Sequence, residues 1–265
     1  MQKLERKFVE KVWGVEHLPA IFAAPDGARI GEVWYEPPAE LDSLLVEALF
    51  VSERLSIQAH PGDAQAQAMG LGPSGKSECW VITDAEEGAT IAVGFREPVS
   101  PEEMRAAALD GTIVELMEWH PVNRGDAFYI PAGTVHAIGG GVSLIEIQQN
   151  TDITFRLYDY GRPRELHLDD AMAVAVTGPY PPEFRSVLEP GAQLVDSEHF
   201  RLVAIDAGDA SPIADWTGRA LVVPFEGRAE VDGTPLEVGD CCYVDDIAAT
   251  ILQGQGLLLL AQPKS

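Results

Sequence analysis

Gln58-Ala59-His60-Pro61 is the first segment of this chain whose residue types and spacing suit chemistry. In a strand, side chains two apart share a face, so Gln58 and His60 point one way and Ile57 and Ala59 the other. A polar pair aimed into a β interior needs something to satisfy it, and a metal ion would do so. A strand histidine on its own is more often an ordinary hydrogen-bonded residue, so the surrounding segments decide. Gly75-Lys76-Ser77-Glu78-Cys79-Trp80 opens an apolar strand with a carboxylate, which when buried calls for a cation or several donors. Gly125-Asp126 followed by Pro131-Ala132-Gly133-Thr134-Val135-His136 reads as a tight turn between two strands that aims His136 inward. Farther on, alternation puts Leu144, Glu146 and Gln148 on one strand face and Thr154, Arg156 and Tyr158 on one face of the next strand. Asp152 falls in the connecting turn. Such an acid and guanidinium on neighbouring strands can serve catalysis, although a surface cross-strand ion pair has the same pattern.

These side chains need elements to hold them, and most of the chain reads as short strands. Candidates cover 44–52, 78–83, 90–94, 127–130, 143–149 and 154–158, separated by Gly- and Pro-rich turns. With Gly 25 and Pro 19, the pattern predicts an all-β sandwich or barrel. Helices are decorations. Ser100-Pro101-Glu102-Glu103 is a capping box with proline at the first helical position, and Gly111 marks the stop. Short helices are also expected over 63–69 and 168–176. Gly125-Asp126-Ala127-Phe128-Tyr129-Ile130 has an echo in Gly239-Asp240-Cys241-Cys242-Tyr243-Val244. The second copy lacks the proline, glycine and histidine that follow the first, as a second barrel that had lost its site would. The proline-rich stretch at 178–182 places a division near 180. That gives a catalytic domain over 1–180 and a degenerate C-terminal β domain over 181–265.

Bulk properties remove several function classes. The 265 residues carry a net charge of −24, which opposes nucleic acid and anionic membrane surfaces alike. An anionic substrate is still compatible, provided Lys and Arg gather locally in the site. Hydrophobic residues make up 46%, yet no apolar run is long enough to span a bilayer. The 3 cysteines outline no disulfide framework, and the charged N-terminal stretch does not look like a signal peptide. A cytoplasmic protein is the expectation.

The spacing Gly-Asp-x4-Pro-x-Gly-x2-His resembles the second sequence motif of the cupin superfamily. That resemblance implies a jelly-roll β-barrel with Gln58, His60, Glu78 and His136 as metal ligands, Gln58 standing where the first cupin motif usually has a histidine. One amide oxygen, two imidazoles and one carboxylate suit a divalent ion such as zinc, with positions left open for water or substrate. Taken with Lys11-Val12-Trp13-Gly14 and the run from Glu146 to Asp159, the motifs look like type I mannose-6-phosphate isomerase in its short bacterial form. The likeness covers roughly residues 8–175. It implies one Zn2+ on those four ligands, and active-site roles for Lys76, Arg156 and Asp152. It also implies a phosphorylated hexose as substrate, and interconversion of mannose 6-phosphate and fructose 6-phosphate through a cis-enediol. Glu146 and Lys76 are the candidates for proton transfer, with Asp152 behind them, and Arg156 is expected to stabilise the enediolate. Lys11, Arg54 and Arg162 are candidates for the phosphate. His17, His120, His167 and His199 read as packing or surface residues. An iron-dependent cupin dioxygenase and a non-catalytic sugar-phosphate binder are the rival readings.

Overall fold

Leu44–Val51 is buried along its whole length, so it must lie between two layers rather than at a surface. A computed structural model, describing residues 1–23 and 27–264, places it there. It sits in a central antiparallel sheet whose order is Arg185–Val187, Asp126–Ile130, Glu78–Ala85, Val142–Gln149, Leu44–Val51, Ile30–Tyr35 and Arg6–Val15. One face of this sheet meets an outer sheet ordered Phe155–Tyr158, Ile57–Ala59, His136–Ile138, Thr90–Phe95 and Met117–Pro121. The two face each other as the sandwich of a jelly roll, the cupin architecture, and are not closed into one continuously hydrogen-bonded barrel.

Alternation sorts the apolar residues into layers. Leu49, Trp80, Ile82, Phe128 and Leu144 pack with Ile91, Val93 and Ile138 between the central and outer sheets. The opposite face of the central sheet, including Val46, Ala48, Val81 and Ile147, packs on Leu202, Ala204, Leu221 and Leu259 of a C-terminal sheet. Behind the outer sheet, Ile57, Ala59, Ala92 and Val135 are covered by Met104, Ile113 and Ala171 from short helices. Burying each such large side chain stabilises the fold by about 1.5–3 kcal/mol.

The helix Pro101–Asp110 is capped as expected. Ser100 Oγ accepts from the Glu103 amide at 3.2 Å, and Glu103 Oε2 accepts from the Ser100 amide at 2.8 Å. Helices Asp63–Ala68 and Leu168–Val174 fall on the expected stretches.

The sequence echo is reproduced as a structural one. Asp126 Oδ2 accepts from the amide three residues earlier, Asn123, at 2.9 Å. Asp240 Oδ2 does the same with Glu237 at 3.0 Å. Both turns begin on a left-handed glycine, Gly125 at φ 91° and Gly239 at φ 92°. Short strands are exchanged across residue 180. Gln2–Lys3 pairs with Cys242–Val244 in the C-terminal sheet, and Arg185–Val187 pairs with Asp126–Ile130 in the central one.

Candidate active site

Two facing rows of side chains build the site. In the outer sheet, His136 is in register with Gln58, and Gln58 with Arg156. In the central sheet Trp34, Glu47, Glu146 and Trp80 lie side by side on successive strands. Residues in register project to the same side of a sheet, so the rows confront each other across a cavity of about 230 Å³. All eight expected site residues are near it: Gln58, Lys76, Glu78, His136, Glu146, Asp152 and Arg156 line it, and His60 stands behind Glu78.

His60 and His136 are oriented in the same manner. His60 Nδ1 donates to the Ile153 carbonyl at 2.7 Å, and His136 Nδ1 donates to the Thr134 carbonyl at 2.8 Å. Each ring therefore keeps its proton on Nδ1 and presents a bare Nε2. Those Nε2 atoms converge on Glu78, at 3.7 Å from Oε2 for His60 and 3.5 Å from Oε1 for His136. Among the described residues, the buried His60 Nε2 has no hydrogen-bond partner. Burial, as the largest cause, holds His60 well below the ordinary imidazole range and His136 down at about 4, so both rings are neutral at physiological pH. Three converging donors within 4.8 Å of one another, one of them an orphaned buried nitrogen, fit a divalent metal ion.

Gln58 stands beside this cluster, its Nε2 3.4 Å from His136 Nε2 and its Oε1 accepting from Ser56 Oγ at 3.0 Å. Ligation through oxygen requires the amide to turn over. The Ser56 hydroxyl, which accepts as readily as it donates, can keep its hydrogen bond when that happens.

The turn before His136 depends on Gly133. Its φ is 85°, a Cβ there would meet the Val174 carbonyl at 2.7 Å, and its amide donates to the His60 carbonyl at 2.7 Å. One tight turn thus ties the two histidine-bearing segments together. Gly75 is a second point of close approach: a Cβ would meet the Pro61 carbonyl at 2.3 Å, and the Lys76 amide donates to that carbonyl at 3.0 Å.

Lys76 is 8% exposed and donates to Glu78 Oε2 at 2.6 Å and to Glu146 Oε1 at 2.7 Å. Trp80 Nε1 donates to the other oxygen of Glu146 at 3.0 Å. Burial and the neighbouring Glu78 raise Glu146 to about 7, against the pull of Lys76. Arg156 lines the cavity, and among the described residues its buried Nε has no hydrogen-bond partner.

Several expectations need correction. Glu146 and Arg156 are not on neighbouring strands of one sheet; they face each other from opposite sheets, because the chain crosses over between Gln149 and Phe155. Tyr158 does not share the face of Arg156, since a register shift between them turns it onto the helical side. Asp152 lies exposed at the rim. Lys11 lines the cavity, paired with Glu32 at 2.9 Å. Arg54 instead stacks on Trp119, and Arg162 is held by Asp159 and Glu53. Arg164, which sequence reasoning missed, lines the cavity and is clamped by a two-pronged pair with Asp159 at 2.6 and 2.7 Å. Glu32, Trp34 and Glu47 were missed too. An acid inside the apolar run of 44–51 was the available signal for Glu47.

Fold and site together define a cupin-type protein with a His60–Glu78–His136 cluster that could hold a metal ion between its two jelly-roll sheets. Within that class the chain is similar to proteins named mannose-6-phosphate isomerase. It is 41% identical over 141 residues to the mannose-6-phosphate isomerase of Streptococcus mutans, covering 51% of this chain and 44% of that protein. With mannose-6-phosphate isomerase ManA of Bacillus subtilis it shares 42% identity over 137 residues, 49% of this chain and 43% of that one. The matched regions therefore span less than half the length of these curated relatives. The fold likeness extends further. A crystal structure of the Bacillus subtilis mannose 6-phosphate isomerase superposes with a TM-score of 0.78 at 25% identity, covering 98% of both chains. The apo form of the Salmonella typhimurium enzyme has the same fold, with a TM-score of 0.71 at 17% identity over 100% of this chain and 99% of that one. No protein-family model matches the chain.

Proposed function

We propose that this protein is a zinc-dependent aldose–ketose isomerase that interconverts mannose 6-phosphate and fructose 6-phosphate. The observation that carries the reading is the Lys76 ammonium, bridging the metal-site carboxylate Glu78 and the cavity carboxylate Glu146. This bridge couples a proton-transfer pair to a metal centre, which a passive sugar binder does not need. Zinc is favoured by two neutral imidazoles, one carboxylate and one amide oxygen. A divalent ion held there would supply positive charge to substrate oxygens that become anionic during the reaction.

The chain's own residues then divide the remaining work. Glu146, raised to about 7, is poised to take the C2 proton of the open-chain aldose and return it at C1. Lys76 and Trp80 hold its two oxygens in place. Arg156, which lines the cavity, offers its guanidinium charge to the enediolate. Arg164, fixed in orientation by Asp159, and Lys11 supply cationic charge for the phosphate end. Three buried free thiols suit a cytoplasmic setting.

A coupled assay on mannose 6-phosphate tests this before chelation, after it and after add-back of several divalent metals. Turnover should disappear with the metal and return best with zinc. Full activity in protein verified to be metal-free, or none in the zinc-loaded protein, rejects the proposal.

A further inference from the structure

Glu47 is a buried charged group that the chemistry above leaves unused. It is 6% exposed and lines the cavity, and among the described residues its carboxylate forms no hydrogen bond or ion pair. The acids beside it are occupied: Glu32 accepts from Lys11 and from Trp34 Nε1, and Glu146 from Lys76 and Trp80. Glu47 stands in register between Trp34 and Glu146. Burial and the charges of Glu146 and Glu32 raise it well above the ordinary carboxylate range, with Lys76 and Lys11 opposing. An uncompensated buried acid is costly, so its retention calls for a ligand that completes it.

The geometry points to Glu47 as the residue that accepts the chain hydroxyls of the sugar, beside Trp34 and one strand outward from Glu146, and so helps set which hexose the cavity takes. The inference rests on the isomerase reading and adds a specificity-determining contact to it. A carboxyl flanked by an indole suits a polyol, whose hydroxyls donate to the acid while its C–H face lies on the ring. The position also fits a substrate whose reacting carbons lie between Glu146 and Arg156 and whose phosphate lies toward Lys11 and Arg164, leaving the middle of the chain at Glu47.

The test uses the zinc-loaded full chain, comparing Glu47→Ala and Glu47→Gln with wild type on mannose 6-phosphate and its 3-deoxy and 4-deoxy analogues. Leaving a buried sugar hydroxyl without its partner should raise KM in the alanine variant by about 10- to 100-fold, and less in the glutamine variant. With kcat within about threefold of wild type, that split marks lost binding rather than lost chemistry. One of the deoxy analogues should be penalised in wild type and not in Glu47→Ala, with zinc content unchanged in both variants. The assignment is overturned by an unchanged KM, by a deoxy penalty that persists in both variants, or by a fall in kcat alone. Should the alanine variant fail to fold, the near-isosteric glutamine variant reads the same penalty. A zinc-loaded wild type that neither binds nor turns over the sugar phosphate rejects the isomerase reading itself and takes this assignment with it.

Discussion

Replacing Lys76 with methionine should reveal how strongly the site is held together by one buried cation. Lys76 Nζ lies 2.6 Å from Glu78 and 2.7 Å from Glu146, with all three side chains buried. Methionine fills much of the same volume without charge, so the loss is electrostatic rather than a cavity. Removing one partner of a buried pair typically costs about 3–5 kcal/mol, because the surviving charge stays uncompensated. Against a total stability on the order of 5–15 kcal/mol, that is severe but need not unfold the chain. The pH dependence has a definite sign. Glu146 already has a folded pKa raised to about 7 from the ordinary 4.5, and losing Lys76 removes a cause that lowers it. A raised acid gives stability that is fully present below 4.5 and is lost as pH rises through its folded pKa. The deficit of the variant should therefore be largest near pH 8 and shrink as Glu146 protonates toward pH 5.5. Lys76 also helps to lower His60 and His136, so their loss of stability as pH falls is smaller in the variant, which shrinks the deficit in the same direction. Urea unfolding of chelator-treated wild type and Lys76→Met at the two pH values measures this. Zinc should restore part of the deficit by neutralising Glu78. Equal stability at pH 8, or one unchanging deficit at both pH values, refutes the argument.

Gly133→Ala should destabilise the protein by about 2 kcal/mol or more, because the turn needs positive φ and lacks room for a Cβ; chemical denaturation and zinc content after dialysis check it. Arg156→Ala should lower kcat while zinc content stays at the wild-type level, and Arg164→Ala should raise KM by about 10-fold or more with a smaller effect on kcat; steady-state kinetics with metal analysis separates the two. His120 is held below the ordinary imidazole range by burial. A lowered histidine gives stability that is present above 6.5 and lost as pH falls toward its folded pKa, so His120→Gln should flatten the decline in Tm between pH 7 and 5.

The cluster of candidate ligands could be read in advance because each residue comes with its own local chemistry. Gln58 lies in the strand Ile57–Ala59 with His60 directly after it, Glu78 begins an apolar strand, and the Pro131 to His136 turn fixes its histidine through Gly133. Strand positions were readable for the same reason: expected 44–52 became Leu44–Val51, and 143–149 became Val142–Gln149. What stayed hidden depends on how distant strands align. Glu47 lies in a strand buried on both faces, where alternation gives no contrast to say which side is the cavity. Its meaning comes only from register with Glu146, nearly a hundred residues later in the chain. Arg164 sits in a loop, and only its pairing with buried Asp159 directs it at the cavity, while the nearby Arg162, with the same partner, is drawn away toward Glu53. The turn after Gln149 looks like a hairpin in sequence, yet it carries the chain from one sheet to the other. That crossover puts Arg156 opposite Glu146, and an acid and a guanidinium meeting across a cavity can enclose a substrate that neighbours on one sheet could only border.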